Sequence, residues 1–281
     1  MNAIEIRKLS KRYPGFLLDD ISFDLPSGSI VGLVGENGAG KSTTIKLIMN
    51  AIHRDGGSVT VLGVDNESPD FRRVKEEIGV VLDDAYFPET LTAANVGRVM
   101  ANTYANWDAA AYRRLTNWFS LPDKKAFSAY SRGMKMKLAI AVALSHRPRL
   151  LILDEATSGL DPMVRDEVID VFNDFTRAED HSILLSSHIV SDLEKICDYI
   201  AFIHRGRLLL MEEKDRLLEE YAVARLTEEQ LADLPEEAVC GVKRGSYGSE
   251  VLVKRAAVSP AFTLERTNLE DIILFLAKGE R

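Results

Sequence analysis

A glycine-rich stretch between an apolar run and a helical pattern constrains the fold more than any other part of the sequence. It covers residues 30–50 and reads IVGLVGENGAGKSTTIKLIMN. Its glycines permit a tight loop whose backbone N–H groups face phosphate oxygens, and the following helix adds its positive N-terminal end. This predicts an α/β fold with a phosphate site, whereas a glycine-rich turn with a solvated lysine is the simpler alternative. The residues that fit the pattern G-x-x-x-x-G-K-[ST] are Gly35, Gly40, Lys41 and Ser42.

Two acidic residues follow a second apolar run. RLLILDE carries four aliphatic residues to a strand end, where Asp154 and Glu155 stand. Ligands of open α/β sheets bind at the carboxyl ends of the strands, so both acids are expected near the phosphate loop. Lys41 would then reach the β- and γ-phosphates, while Ser42 and Asp154 would hold Mg²⁺. Glu155 would accept a proton from an attacking water, although two acids at a strand end are alone more often a solvated turn.

Charge, cysteine content and the length of the apolar runs indicate which partners and which compartment to expect. The 281 residues carry a net charge of -8, so a nonspecific electrostatic grip on nucleic acid is not expected. Cys197 and Cys240 lack metal-type spacing, which suits free thiols in a reducing compartment. The N-terminus shows no secretory pattern, and the longest apolar run, at 138–144, is too short to span a membrane. We therefore predict a cytoplasmic protein that needs another chain to cross any membrane on which it acts.

The remaining patterns predict the layout of the chain. Short aliphatic runs separated by helical patterns are typical of strands buried on both faces of a sheet. These runs cover 30–34, 78–82, 149–153, 182–186 and 199–203. A smaller N-terminal β unit is predicted from strand-like runs at 3–7, 20–25 and 58–62. Residues 91–147 contain mainly helical patterns, so an inserted helical subdomain is expected there.

Four motifs occur together and in order: GENGAGKST, RLLILDE, TSGLDP and SSH. Over roughly its first 210 residues, the chain resembles the nucleotide-binding subunit of an ATP-binding cassette transporter. The resemblance implies a P-loop NTPase core sheet with an N-terminal antiparallel β subdomain, an inserted helical subdomain and a small C-terminal α+β extension. It also implies ATP and Mg²⁺ as cofactors. The implied ATP contacts in the phosphate loop are Gly35, Asn37, Gly38, Ala39, Gly40, Lys41, Ser42 and Thr43.

The signature of this family, usually LSGGQ, contacts the ATP that the opposite subunit holds, and the matching letters here are YSRGM. Ser131 and Gly133, the two residues that could bind phosphate, are present. Arg132 replaces the family's first glycine, and Met134 replaces its glutamine. Ser131 also fits a plain helix N-cap. Together with the other motifs, the resemblance implies that Ser131 and Gly133 form half of an ATP site that a second molecule completes. Arg132 could add positive charge near the nucleotide or meet a partner subunit.

A further departure lies in the loop after the apolar run at 78–82. The family usually places a glutamine there, which touches Mg²⁺ and signals to the membrane subunit, but this sequence has Asp83 followed by Asp84. A carboxylate is a hard oxygen ligand and could still serve Mg²⁺, directly or through water. We therefore assign Asp83 to the metal site, with a solvent-facing acidic turn as the alternative.

Three more residues match positions of the family one at a time. Tyr13 matches the aromatic residue that stacks on adenine, although its spacing equally suits a surface packing residue. Asp161 matches the loop that links the two ATP sites across the dimer, and it also fits an N-cap before a proline. His188 matches the histidine that contacts the γ-phosphate and positions the catalytic water. With Lys41 and Glu155, it completes the implied catalytic set.

Residues 211–281 lie outside the expected cassette at 1–210. A charged helix-like run opens this segment, a strand-like stretch follows at VLVKRAAV, and NLEDIILFLAKGE ends it with helical spacing. A solvated accessory region is the simplest interpretation. The ending also resembles that of subunits serving drug, peptide or lantibiotic-type exporters of Gram-positive bacteria, which favours export over import.

The expected mechanism follows from symmetry. A subunit cannot bring its own phosphate loop and signature onto one ATP, so two subunits, identical or paralogous, are expected to pair head to tail around two Mg-ATP. Their closure and separation would move an integral membrane permease, with the chain peripheral at the inner face of the membrane. A chromosome or repair ATPase would need long heptad-bearing arms, and a ribosome-associated cassette ATPase usually carries two cassettes. The sequence shows one phosphate loop and no such arms.

Overall fold

The computed structural model describes residues 1–83, 87–245 and 248–278. The described residues form strands β1 (Asn2–Tyr13), β2 (Phe16–Pro26), β3 (Ile30–Val34), β4 (Gly56–Val61), β5 (Val64–Asp65), β6 (Ile78–Val81), β7 (Leu150–Asp154), β8 (Ser182–Ser187), β9 (Tyr199–His204), β10 (Arg207–Glu213), β11 (Tyr221–Leu226), β12 (Val239–Gly245), β13 (Gly248–Lys254) and β14 (Leu264–Glu265). The helices are α1 (Lys41–Ile48), α2 (Phe71–Val74), α3 (Ala93–Ala101), α4 (Ala109–Trp118), α5 (Arg132–Leu144), α6 (Pro162–Phe175), α7 (Val190–Ile196), α8 (Lys214–Glu220), α9 (Glu228–Ala232) and α10 (Leu269–Lys278). None of the helices in these ranges is long and apolar enough to cross a membrane.

The central sheet contains the strands predicted from the aliphatic runs. Its order is β10-β9-β3-β8-β7-β6, and β10 alone runs antiparallel to its neighbour. Every residue of β3, β7 and β8 is buried, as expected for strands covered on both faces. The carboxyl ends of parallel strands meet at one edge, which brings together the segments after Val34, Asp154 and Ser187. The predicted α/β class is confirmed.

The N-terminal strands form an antiparallel sheet in the order β2-β1-β4-β5. Ile4 of β1 and Val59 of β4 belong to the same hydrophobic cluster as Leu33 of β3, so this sheet covers one face of the central sheet. The first strand continues beyond the predicted run at 3–7. Register shifts on both sides of Leu9 break the alternation of apolar and polar residues that a regular strand would show. The strand predicted from that alternation is therefore shorter than β1.

Of the described residues between β6 and β7, the α-helices α3, α4 and α5 form the inserted helical subdomain. The Tyr112 hydroxyl donates to Ala93 O at 2.8 Å, which ties α4 to the start of α3. Gly97 makes room for the same ring, because a Cβ there would lie 2.6 Å from Tyr112 Cε1. Helix α5 is buried from Met136 to Ala143 and packs against β6, so it joins the helical subdomain to the central sheet.

The C-terminal residues form a third sheet in the order β12-β13-β11-β14, and α10 packs against β12. Sequence patterns predicted one strand here and the helices at both ends. They missed β11 and β12 because each strand mixes apolar residues with charged ones, as in YAVARL and VCGVKRG. Helix α10 also contacts α7, which follows His188 closely in the chain. The C-terminal segment therefore packs against the cassette beside a predicted site residue.

We expect Phe275→Ala to lower the free energy of unfolding by about 3–5 kcal/mol, because it would leave a cavity between α10 and the third sheet. Phe275 is 2% exposed, and Lys243 Nζ lies 4.1 Å from the centroid of its ring. Urea unfolding followed by circular dichroism measures the change. Glu270→Ala, at an exposed position of the same helix, is the matched control and should cost less than about 0.5 kcal/mol. Equal losses in both variants would contradict this packing.

Candidate functional site

The phosphate loop joins β3 to α1 and requires glycine at both ends. A Cβ at Gly35 would lie 2.3 Å from Ile203 O of β9. Gly40 has a φ of +118°, which favours glycine, and it caps α1 without a side-chain hydrogen bond. The backbone N–H groups at the start of α1 can therefore bind an anion. Along the loop, Asn37, Gly38 and Ser42 are exposed, Thr43 is half-buried, and Ala39 and Lys41 are buried.

Lys41, Glu155 and His188 form a connected set of side chains, here called the phosphate cluster. Lys41 Nζ donates to Gly35 O at 2.8 Å and lies 3.2 Å from Glu155 Oε1. Glu155 Oε2 accepts a hydrogen bond from His188 Nδ1 at 2.6 Å. Lys41 is 5% exposed and Glu155 9%, so their ion pair is largely removed from water. Because Nδ1 is bound to Glu155, a ligand of His188 would bind through Nε2.

Ser186 orients both acidic residues at the end of β7, a role that sequence reasoning missed. It lies opposite Asp154 in the register of β7 and β8. Its hydroxyl donates to Asp154 Oδ1 at 2.5 Å, and Glu155 N donates to Ser186 O at 3.0 Å. The signal that could have found it is a buried serine two residues before His188, on the strand next to the acids.

Tyr13 ends β1 in the hairpin that leads to β2. It is 39% exposed, and Lys11 Nζ lies 5.7 Å from the centroid of its ring. The hairpin packs on the phosphate loop, since a Cβ at Gly40 would lie 3.2 Å from Phe16 Cζ. A partly exposed ring at this place suits stacking on a base and also suits surface packing, so the assignment of Tyr13 to adenine stays a prediction.

Ser131, Gly133 and Asp161 lie together in a second set, here called the signature cluster. The Ser131 hydroxyl accepts a hydrogen bond from Met134 N at 3.2 Å and caps α5. Asp161 Oδ1 accepts from Val164 N at 3.1 Å and caps α6. Both N-cap interpretations are confirmed. A Cβ at Gly133 would lie 3.5 Å from Val164 Cγ1, so the signature and the start of α6 form one surface.

Asp83 pairs with Arg132, which places it beside the signature cluster. Arg132 Nη2 donates to Asp83 Oδ1 at 3.0 Å. The neighbouring Asp84 lies outside the described residues. Sequence reasoning treated the two departures from the family pattern separately, although their opposite charges were a signal that they could meet. The assignment of Asp83 to a metal stays a prediction.

A cavity of about 330 Å³ separates the phosphate loop from the C-terminal helix α10. Its lining includes Glu36 and Asn37 of the loop, His188, and Glu270 and Ile273 of α10. Sequence reasoning treated the C-terminal segment as a solvated accessory region. Helix α10 of that segment borders the phosphate cluster.

Comparison with known proteins identifies the family. Residues 18–158, which run from β2 past the acids of β7, match the ABC transporter family. The chain belongs to this family. The ABC transporter ATP-binding protein YtrB of Bacillus subtilis is 33% identical over 219 residues, which are 78% of this chain and 74% of that protein. The lantibiotic transport ATP-binding protein SrtF of Streptococcus pyogenes is 33% identical over 215 residues, 75% of this chain and 91% of that protein.

A solved structure of the ATP-binding subunit of an ABC transporter supports the same conclusion. It is 30% identical and superposes with a TM-score of 0.68, covering 76% of this chain and 91% of that one. The resemblance stated from the four motifs is therefore confirmed. The protein is the ATP-binding subunit of an ABC transporter, an ATPase whose turnover is coupled to transport.

Proposed function

We propose that this ABC subunit pairs head to tail with a second ATP-binding subunit, either another copy or a paralogue, and that the pair encloses two ATP molecules. The observation that supports the proposal is that one chain carries two sets of side chains on different elements. The phosphate cluster lies on α1 and at the ends of β7 and β8, and the signature cluster lies at the starts of α5 and α6. A two-fold arrangement brings the phosphate cluster of each subunit against the signature cluster of the other. Each ATP then touches both subunits.

The proposed ATP contacts are the predicted ones. Lys41 binds the β- and γ-phosphates, Tyr13 stacks on adenine, and Asp161 links the two sites across the dimer. Ser131 and Gly133 bind the γ-phosphate that the partner holds. The loop contacts are Gly35, Asn37, Gly38, Ala39, Gly40, Ser42 and Thr43.

The contacts of Glu155 support its role as the proton acceptor. Its carboxylate binds Lys41 on one oxygen and His188 on the other. A triphosphate competes for Lys41 because it carries more negative charge than one carboxylate. When Lys41 turns to the phosphates, Glu155 Oε1 becomes able to take a proton from the attacking water, while His188 keeps the carboxylate oriented.

The donor set also fits Mg²⁺. Mg²⁺ prefers oxygen ligands and is usually held by one or two carboxylates together with water and substrate phosphates. The Ser42 hydroxyl and the Asp154 carboxylate supply such oxygens, and Ser186 holds the carboxylate in place. We propose Ser42 and Asp154 as the protein ligands; the ion would neutralise charge on the phosphates. Asp83, predicted as a third ligand, is bound to Arg132 instead.

Closure of the pair would drive an integral membrane permease, with this chain peripheral at the inner face of the cell membrane. ATP binding energy becomes rigid-body motion, which the permease would sense near Asp83 and the helical subdomain. SrtF is by its name a lantibiotic transport protein. From the resemblance of the C-terminal segment to that of exporter subunits, we propose export of a drug, peptide or lipid-like substrate. No contact with nucleic acid is expected.

Light scattering of purified Glu155→Gln, with and without Mg-ATP, tests the pairing. Blocked hydrolysis should trap the closed pair, so the mass is expected to double with Mg-ATP and to return to that of a monomer without it. The unmodified chain is the control and should dimerise only transiently. A variant that binds ATP in equilibrium dialysis but stays monomeric would contradict pairing between identical copies.

A further inference from the structure

The two positions at which the chain departs from its family are bound to each other. Arg132 is the first residue of α5, and Asp83 follows β6, yet their charged groups meet at 3.0 Å. Their side chains are 52% and 56% exposed. Such a pair contributes little to stability because water and salt screen it, so it can exchange partners readily.

The Arg132 guanidinium also lies on the loop before α6. A Cβ at Gly159 would lie 2.6 Å from Arg132 Nη1, and the φ of +67° at Gly159 also favours glycine. Arg132 therefore touches both the loop that carries Asp83 and the loop that leads to Asp161. One side chain joins three segments: the signature, the loop after β6 and the loop before α6.

Arg132 stands between Ser131 and Gly133, the residues proposed to face the partner-held ATP. A guanidinium should bind the phosphates more strongly than this exposed carboxylate, because the phosphates carry more charge and Asp83 accepts one hydrogen bond from Arg132. We infer that Arg132 is a charge switch: it binds Asp83 in the separate subunit and the phosphates of the partner-held ATP in the closed pair. This inference rests on the proposed head-to-tail pairing.

The switch would couple dimer closure to the loop that carries Asp83. Closure takes Arg132 away from Asp83 and releases that loop. By thermodynamic linkage, anything that draws Asp83 away from Arg132 must favour closure by the same factor. The ion pair would thus connect the ATP that the partner holds to the loop near the permease. In the usual family pattern the same two positions hold a glycine and a glutamine, which carry no charge.

The test measures the ATP concentration that gives half-maximal dimer by light scattering, with Glu155→Gln as the parent so that hydrolysis does not interfere. Adding Arg132→Gln should raise this concentration by about tenfold or more, because a charge-assisted contact to ATP is lost. Adding Asp83→Asn should lower it by about two- to fivefold, because Arg132 no longer has to leave an ion pair. The variant with both changes should behave like Arg132→Gln alone.

The opposite signs separate a switch from a structural ion pair, whose loss would shift both variants in the same direction. Arg225→Gln, which removes an exposed partner of Glu250 at 3.4 Å in the third sheet, is the matched control and should leave the midpoint unchanged. If the parent dimerises but Asp83→Asn raises the ATP concentration for half-maximal dimer, or leaves it unchanged, the switch is wrong and the pairing still holds. A parent that stays monomeric at saturating ATP overturns pairing between identical copies and, with it, the switch in that pair.

Discussion

Exchange of Glu155 for glutamine is expected to lower the rate of ATP hydrolysis by about 10²- to 10⁴-fold, the usual contribution of a positioned general base. Glutamine has nearly the same size and can accept the hydrogen bond from His188, but it cannot take a proton from water. The loss should appear in kcat, because Glu155 acts on the attacking water, and ATP binding should be unchanged or tighter because the carboxylate no longer competes for Lys41. Phosphate release under saturating ATP measures the rate, and equilibrium dialysis measures binding.

Glu250→Gln is the matched control for this prediction. Glu250 is a partly exposed carboxylate in the third sheet, bound to Arg225, and its neutralisation should leave hydrolysis unchanged. A rate for Glu155→Gln close to that of the unmodified chain would assign the proton acceptor to another group. Reduced ATP binding in the same variant would show that the Glu155 carboxylate also contributes to ATP affinity.

The central sheet could be predicted from the sequence because its strands are buried on both faces. Burial on both faces selects aliphatic residues at every position, as in IVGLV and LLILD, and such runs are visible without a structure. The edge at which the phosphate loop and the acids meet then follows from parallel strand geometry. The phosphate cluster was therefore assigned from motifs, and its members do contact one another.

The contacts between distant segments could not be predicted in the same way. The pairing of Asp83 with Arg132 joins residues 49 positions apart and depends on how the helical subdomain sits on the sheet. The role of Ser186 depends on strand order, which places β8 beside β7. The cavity between α10 and the phosphate loop depends on a third sheet whose strands carry charged residues on one face. Periodicity reports the local environment of a residue and carries no information on which distant residue it meets.

Replacement of Lys41 by methionine is expected to destabilise the nucleotide-free chain as well as to impair catalysis. Removal of one partner from a buried ion pair leaves an uncompensated charge, and we expect a loss of about 3 kcal/mol, at the low end of the usual range because His188 still donates to Glu155. Hydrolysis should fall by about 10²- to 10³-fold, since a donor to the developing phosphate charge is lost. Urea unfolding without nucleotide measures stability, and phosphate release measures the rate.

A second substitution shows whether the loss of stability comes from the stranded carboxylate. Adding Glu155→Gln to Lys41→Met should restore part of the stability, because neutral glutamine needs no cation, so the two changes should not be additive. Lys46→Met, at an exposed position of the same helix, controls for helix propensity and should have little effect. If the double variant is no more stable than Lys41→Met, the charge of Glu155 is compensated by other groups. In that case the ion pair with Lys41 would add little to stability, and a triphosphate would draw Lys41 away from Glu155 at little cost.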